Sequence, residues 1–306
     1  MSKFLYIPNT IQIELTQGCD RRCEFCGTMG MEKKLHFMGF STLEKIIQGI
    51  KSSGWNCKLL FAGHGEPTLN PQYLDFLAYA RKELPSAPIY LMTNGYSIKK
   101  DIQHLGWILW AGVTNLILDE YLDNPLDQIK AYLTENGVVY QTHGEKGVPL
   151  FDRTKRVVFN PPIETSKPVA QRTLTNHCGA GMPPLSTPKQ ARCTKVFREM
   201  FFRWDGSVAI CCDDFRGEYG IANINEMNIE EIWLHPRFES ARKFLYQGNR
   251  CFHPCNICAS SPIRPGLLPD RMGKETMPEP TEKDWEIVSY RTEPYAKIER
   301  RDYEKN

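Results

Sequence analysis

Cysteines are the residues in this chain with the most chemistry to offer, and they are clustered. Cys19, Cys23 and Cys26 stand in the run Gly18-Cys19-Asp20-Arg21-Arg22-Cys23-Glu24-Phe25-Cys26, a C-x3-C-x2-C spacing. Soft thiolates suit iron–sulfur clusters, and three on one short loop can hold three irons of a [4Fe–4S] cube. The fourth iron is then left without a protein ligand and can bind a small molecule. A structural zinc site asks for four ligands, and His36 is poorly placed as the fourth. A disulfide framework leaves an odd cysteine, and the start of the chain does not read as a secretion signal.

A second set lies far along the chain. Cys193, Gly206 and Cys211 follow a C-x12-G-x4-C pattern, and Cys255-Asn256-Ile257-Cys258 adds a C-x2-C turn. A hairpin that brings two thiolates to such a turn makes a closed four-ligand site, for which zinc and an iron–sulfur cluster are both open. Of the remaining thiols, Cys57 reads as core packing. Cys178, Cys212 and Cys251 can each be a spare buried thiol, a substitute ligand or a hydrogen-atom donor.

Alternating elements must carry these loops. Residues 11–16, 58–62, 89–92, 115–118, 138–141 and 156–159 read as strands. Helical spacing runs through 41–53, with Ser41 as its cap, and through 71–84, 97–110 and 126–133. Strands alternating with helices imply a parallel sheet, and six such units are too few for a closed eight-fold barrel. The fold class is α/β, a partial (β/α)6 parallel barrel with a small C-terminal hairpin and helix domain. Ligands gather at the carboxyl ends of such strands, which is where the Cys19 loop falls. Residues 161–190, rich in proline, read as a linker or lid. Residues 197–204 and 207–212 around Asp205-Gly206 read as a β-hairpin. The expected divisions are 1–160 for the barrel, 161–190 for the lid, 191–258 for the hairpin domain and 259–306 for a tail that wraps the body or is partly disordered.

The cysteine loop after the first strand, with Phe25 before its third cysteine, resembles the radical S-adenosylmethionine (SAM) superfamily. The second set resembles the auxiliary-cluster extension of that family called SPASM, in its shortened Twitch form, because no cysteine follows Cys258. The layout is similar to that of the family's aminocyclitol dehydrogenases. The resemblance implies a SAM-binding [4Fe–4S] cluster on Cys19, Cys23 and Cys26. It also implies one auxiliary [4Fe–4S] cluster on Cys193, Cys211, Cys255 and Cys258, and SAM as co-substrate. Gly63-His64-Gly65-Glu66-Pro67 is similar to the family's GGEP motif, which holds the SAM amino group. Gly63, Gly65, Glu66 and Pro67 are therefore expected at SAM, and His64 departs from the motif's first glycine. A lone histidine on such a loop reads as solvated, or else as a substrate or cofactor contact. Thr93 and Asn94 are expected at the ribose, and Asp119 at ribose or substrate.

The activity implied is hydrogen-atom abstraction by a 5′-deoxyadenosyl radical. Oxidation of a sugar- or aminocyclitol-type alcohol, with the auxiliary cluster taking the electron, uses every part. Radical epimerisation with Cys178, Cys212 or Cys251 as donor is the alternative, as is a peptide- or nucleoside-modifying enzyme. A non-catalytic iron–sulfur or zinc scaffold is more remote. Expected partners are a small-molecule substrate and a flavodoxin- or ferredoxin-type reductant. The net charge of +2 gives no case for bulk nucleic-acid binding. No apolar run reaches membrane length, and clustered free thiols suit a cytoplasmic setting.

Overall fold

The computed structural model describes residues 7–23, 25–31, 33–142, 157–163, 177–180, 189–260 and 277–291. Most of the expected lid and much of the tail lie outside the described residues.

The chain begins with β1 (Thr10–Ile13), then β2 (Thr16–Gln17) and β3 (His36–Phe37), an antiparallel pair that closes the base of the cysteine loop. Next comes α1 (Phe40–Ser53), whose buried Leu43, Ile46, Ile47 and Ile50 recur at helical spacing and face the sheet. Its cap position is Gly39 rather than Ser41, and Gly54 ends it in the left-handed region at φ 67°. Then follow β4 (Lys58–Phe61), α2 (Tyr73–Glu83) and β5 (Ile89–Thr93). The helix expected over 97–110 is two, α3 (Tyr96–Lys100) and α4 (Gln103–Trp110). Asp101 breaks it by turning extended (φ −142°, ψ 104°) and taking the Gln103 N–H on its own carboxylate at 3.0 Å.

The remaining barrel elements are β6 (Asn115–Tyr121), α5 (Asp127–Glu135), β7 (Tyr140–Thr142) and β8 (Val157–Ile163). Among the described residues the six barrel strands are parallel, in the spatial order β1-β4-β5-β6-β8-β7. The last two are exchanged relative to chain order. The reason is burial: β8 offers Val157 and Phe159, both fully buried, whereas three-residue β7 leaves Tyr140 and Thr142 half-buried and takes the edge.

The C-terminal hairpin is β9 (Glu199–Phe202) and β10 (Ser207–Ala209), turned at Gly206 with φ 85°. It is continued by β11 (Gly220–Asn223), α6 (Ile229–Trp233) and α7 (Pro236–Tyr246). The sequence does not reveal that β9 pairs in parallel with β1, Thr10 opposite Glu199 and Ile13 opposite Phe202. One sheet therefore runs through both cysteine sets. Gln12 donates to Glu199 at 3.0 Å across the seam, and Arg198 pairs with the same carboxylate. In the tail, α8 (Glu282–Ser289) docks on α7, where Asp284 accepts from Ser240 at 2.8 Å and from Lys243 at 2.9 Å.

Phe202 is fully buried on β9 beside β1. Phe202→Ala should cost about 3–5 kcal/mol. Since the two halves share the sheet, thermal unfolding followed by tryptophan fluorescence and by far-UV circular dichroism should shift as one transition. Two separated transitions would contradict the shared sheet.

Candidate active site at the carboxyl ends of the strands

A cavity opens where β1, β4, β5 and β6 end. Cys19, Cys23 and Cys26 line it, with Gly63, Gly65, Glu66, Thr93, Asn94 and Asp119. Sequence reasoning named all nine. Pro67, the tenth, is buried behind them at the start of a 3-10 turn.

The cysteine loop is stitched to the turn after β4. Gly18 donates its N–H to His64 O at 3.0 Å, and Glu66 donates its N–H to Gly18 O at 3.0 Å. Gly65 runs so close that a Cβ there would sit 2.3 Å from both Gly18 O and Thr16 O. Within the loop, Arg21 N–H points at Cys19 Sγ at 3.4 Å, and Thr28 Oγ1 donates to Cys26 Sγ at 3.2 Å. Arg21 also grips Asp123 with two bonds of 2.7 and 2.8 Å, lies 4.2 Å over the Tyr121 ring and bonds Cys23. Burial pushes all three thiols up.

Glu66 is more committed than its sequence role suggests. Its Oε1 accepts from Thr68 N, Thr68 Oγ1 and Thr93 Oγ1 at 3.0, 2.7 and 2.7 Å, and its Oε2 accepts from Asn94 N at 2.8 Å. A carboxylate has about four acceptor positions, so only Oε2 keeps room for a ligand donor. Burial raises this carboxyl, and the four bonds, led by Asn94 N–H, oppose the rise. Glu66 is first a knot between the ends of β4 and β5. Asn94 donates to Asp20 at 2.9 Å and accepts from Tyr96 N–H at 2.8 Å. Asp119 takes Asn160 on Oδ1 at 2.5 Å, and burial lifts its carboxyl to about 6.

The opposite wall comes from the C-terminal half, where Phe215 and His177 line the same cavity. Behind them the second thiol set is gathered. Cys193, Cys211, Cys255 and Cys258 lie close enough that ionised neighbours add to the effect of burial. Cys258 acts on Cys193 and Cys255, and Cys193 acts on Cys211 and Cys255. Cys193 is pushed up to about 11. Cys178, a thiol left unassigned by spacing, bonds Cys258 and pulls it down to about 7. Lys195 lies 3.2 Å from Cys212 Sγ and 2.6 Å from Asp213. Burial alone would raise Asp213, but Lys195 and then His177 hold it well below the usual range.

One buried group, Glu14, has no spacing that marks it in the sequence, and another, His64, is more buried than its loop position suggests. Glu14 is fully buried, and its carboxyl is raised to about 7 by burial against the pull of Arg203. His64 is 1% exposed, so it is not the solvated loop histidine the sequence suggests, and it is not among the side chains that line the cavity. His36 stacks on Trp204 at 4.7 Å, away from any ligand role.

Thiols grouped in two sets are the soft donors that iron–sulfur clusters use. Among the described residues no three His, Cys, Asp or Glu side chains converge as a mononuclear ion requires. A cube instead takes one thiolate per iron around a volume. In the second set, thiols that raise one another are the donor chemistry a polynuclear cation relieves.

The radical SAM superfamily model matches residues 13–108, and the SPASM iron–sulfur cluster-binding domain matches residues 193–259. The chain belongs to the radical SAM superfamily and carries a C-terminal SPASM domain. It is a radical SAM enzyme, and its two domains imply a SAM-binding [4Fe–4S] cluster, an auxiliary iron–sulfur cluster and SAM.

Among curated relatives it is 23% identical over 248 residues to the S-adenosyl-L-methionine-dependent 2-deoxy-scyllo-inosamine dehydrogenase of Niallia circulans. That match covers 78% of this chain and 88% of the relative. It is 27% identical over 111 residues to a GTP 3′,8-cyclase of Actinobacillus pleuropneumoniae, covering 35% of this chain and 31% of that one. Among solved structures, BtrN in complex with AdoMet and 2-DOIA superposes with a TM-score of 0.65 at 21% identity, over 83% of this chain and 94% of that one. This likeness fixes the fold, a mostly parallel α/β sheet forming a partial barrel.

Glu66→Gln should keep the three bonds to Oε1 but set an amide N–H against Asn94 N–H. A charged hydrogen bond is worth about 1.5–3 kcal/mol, so SAM affinity measured by anaerobic equilibrium dialysis should fall about 10-fold or more with iron retained. Unchanged affinity would contradict the knot.

Proposed function

We propose that this enzyme oxidises a hydroxyl-bearing carbon of a small polyhydroxylated or aminated ring by two electrons. The observation that carries this reading is the shared cavity, in which Phe215 and His177 of the C-terminal half face Cys19, Cys23 and Cys26 across one space. A substrate held there sits between the two thiol sets. The Niallia circulans relative, matched over 78% of this chain, is named as a 2-deoxy-scyllo-inosamine dehydrogenase, which supports the same class. None of Cys178, Cys212 and Cys251 is among the cavity residues, and nothing in the comparisons supports epimerisation.

Cys19, Cys23 and Cys26 would hold the SAM-binding cluster, and Cys193, Cys211, Cys255 and Cys258 the auxiliary one. When bound, the clusters and SAM supply hydrogen-atom abstraction and a place for the second electron. The chain's own residues bind and orient. The backbone at Gly63 and Gly65 lets a ligand approach closely, with Glu66 Oε2 as acceptor for the SAM ammonium. Thr93 and Asn94 face its ribose. Asp119, with Oδ1 taken by Asn160, offers Oδ2 to a ribose or substrate hydroxyl. Phe25, Tyr121 and Phe215 exclude water from the reacting carbon.

The working divisions are a barrel to about residue 160, a lid to 190, the cluster domain to 258 and the tail beyond. A flavodoxin- or ferredoxin-type protein would supply electrons in the cytoplasm. Among the described residues no helix is long and apolar enough to cross a membrane.

The test is anaerobic turnover with SAM and dithionite across sugars, aminocyclitols, nucleosides and peptides. The expected product is lighter by two hydrogens, with one SAM consumed per product and substrate deuterium in 5′-deoxyadenosine. A product of unchanged mass, with solvent deuterium lost in Cys178→Ala, Cys212→Ala or Cys251→Ala, would replace oxidation by epimerisation.

The ligand assignment has its own check. Cys211→Ala should lower iron by roughly half, one cluster of two, and Cys178→Ala should leave it unchanged. Iron loss in Cys178→Ala with full iron in Cys211→Ala would exchange their roles.

A further inference from the structure

His64 stands where the related motif has a glycine, and its contacts reach both cysteine loops. Its backbone carbonyl accepts from Gly18 N–H at 3.0 Å, and Gly18 immediately precedes Cys19. Its ring Nε2 lies 2.8 Å from the carbonyl oxygen of Cys212, and Cys212 immediately follows Cys211. A carbonyl only accepts, so Nε2 carries the proton. The ring face stacks on Phe215 with centroids 3.8 Å apart and planes at 28°. On its other flank, His64 N–H donates to Glu14 Oε1 at 2.9 Å, and Nδ1 lies 3.4 Å from that oxygen. At 1% exposure no bulk water competes for any of these contacts.

We infer that His64 is a positioning residue that locks the auxiliary-cluster loop, Cys211 to Phe215, in register with the SAM turn. The path is short: Cys19, Gly18, a hydrogen bond, His64, a hydrogen bond, Cys212, Cys211. Through the same ring His64 seats Phe215, the cavity wall that faces the first three thiols. Its contribution has two separable parts, the Nε2–H bond to Cys212 and the stacking on Phe215. A glycine at 64 would remove both. It would leave the Cys212 carbonyl without that donor and a gap the size of an imidazole under Phe215. That this loop carries a cluster ligand rests on the function proposed above; the lock itself does not.

The experiment compares His64→Gly, His64→Gln and His64→Phe in the iron-loaded enzyme. A glutamine amide can donate to Cys212 O, and a phenylalanine keeps only the stacking. Amide hydrogen exchange of the segment 211–217 is followed by mass spectrometry. It contains the Asp214 and Phe215 amides bonded to Cys211 O and Asp213 O. Electron paramagnetic resonance of the dithionite-reduced protein follows the spin coupling between the clusters. Exchange should rise about tenfold or more in the Gly and Phe variants, as for a loop released into local opening, and return to within about twofold of the parent in Gln. The spin coupling should broaden or weaken in Gly and Phe and recover in Gln. Parent-like exchange in Phe, or Gly-like exchange in Gln, would overturn the hydrogen-bonded lock. If Gly does not fold, the Gln and Phe pair still decides. A parent enzyme with one cluster only would defeat the ligand assignment and leave the exchange comparison to judge the lock.

Discussion

The site depends on a contact that admits no side chain. Where Gly65 passes Gly18 and Thr16, a single Cβ would lie 2.3 Å from two carbonyl oxygens. That approach lets the turn after β4 trade backbone hydrogen bonds with the cysteine loop, and so holds three thiols against the strand ends. Everything polar in the SAM half is then arranged from the same turn. Glu66, next in chain, draws in Thr68, Thr93 and Asn94 and fixes where β5 ends. Asn94 in turn reaches back to Asp20 in the cysteine loop. The cavity floor is one closed circuit of short bonds, and its order comes from close backbone packing rather than from any single strong interaction.

How legible this was in the sequence depends on whether spacing or partner choice decided the outcome. The clustering of the cysteines and the alternation of strands with helices were readable because residue spacing and period-two alternation are local rules, although several strands end a few residues from where the sequence places them. The order of β7 and β8 was not, because it turns on which of two short apolar runs is better buried in the sheet. Nor was the pairing of β9 with β1, for which the only local hint is that β9 is buried along its length. Asp101 broke a helix that looked continuous because its carboxylate could take the N–H of Gln103, two residues on. His64 was misjudged for a different reason. A histidine on a glycine-rich loop has no periodic neighbour to mark it, and its partners Glu14, Cys212 and Phe215 come from three distant stretches.

Charge balance adds one tie across the shared sheet, between Glu14 and Arg203, to the pairing of β1 with β9. Glu14, Arg203 and Asp213 are buried, and Lys195 is largely so. Buried ionic groups are tolerable only when each has a partner close by. Asp213 reconciles Lys195 with His177, while Arg203 donates to the carbonyls of Asp214 and Phe215 at the loop behind the cavity wall. Lys195, Asp213 and His177 find one another within the C-terminal half, whereas Glu14 on the β1 side meets its opposite charge, Arg203, across the seam, so separating the halves would leave that pair unmatched.

The second thiol set adds a constraint that hydrogen bonding cannot meet alone. Four thiols near a fifth, Cys255 and Cys258 buried and Cys193 and Cys211 partly so, gain little from one another while protonated, and ionising them together without a cation opposes like charges in a poorly screened interior. Cys258 escapes partly through the Cys178 S–H, a local remedy for one sulfur. The frame around the set is fixed independently: Arg250, 1% exposed, donates to Ala191 O at 2.8 Å and to Ser260 O at 3.0 Å, clamping the chain on either side of Cys193 and Cys258. A framed set of thiols is the condition under which metal binding would return its free energy to the fold, because ligation would release protons without having to organise the loops first.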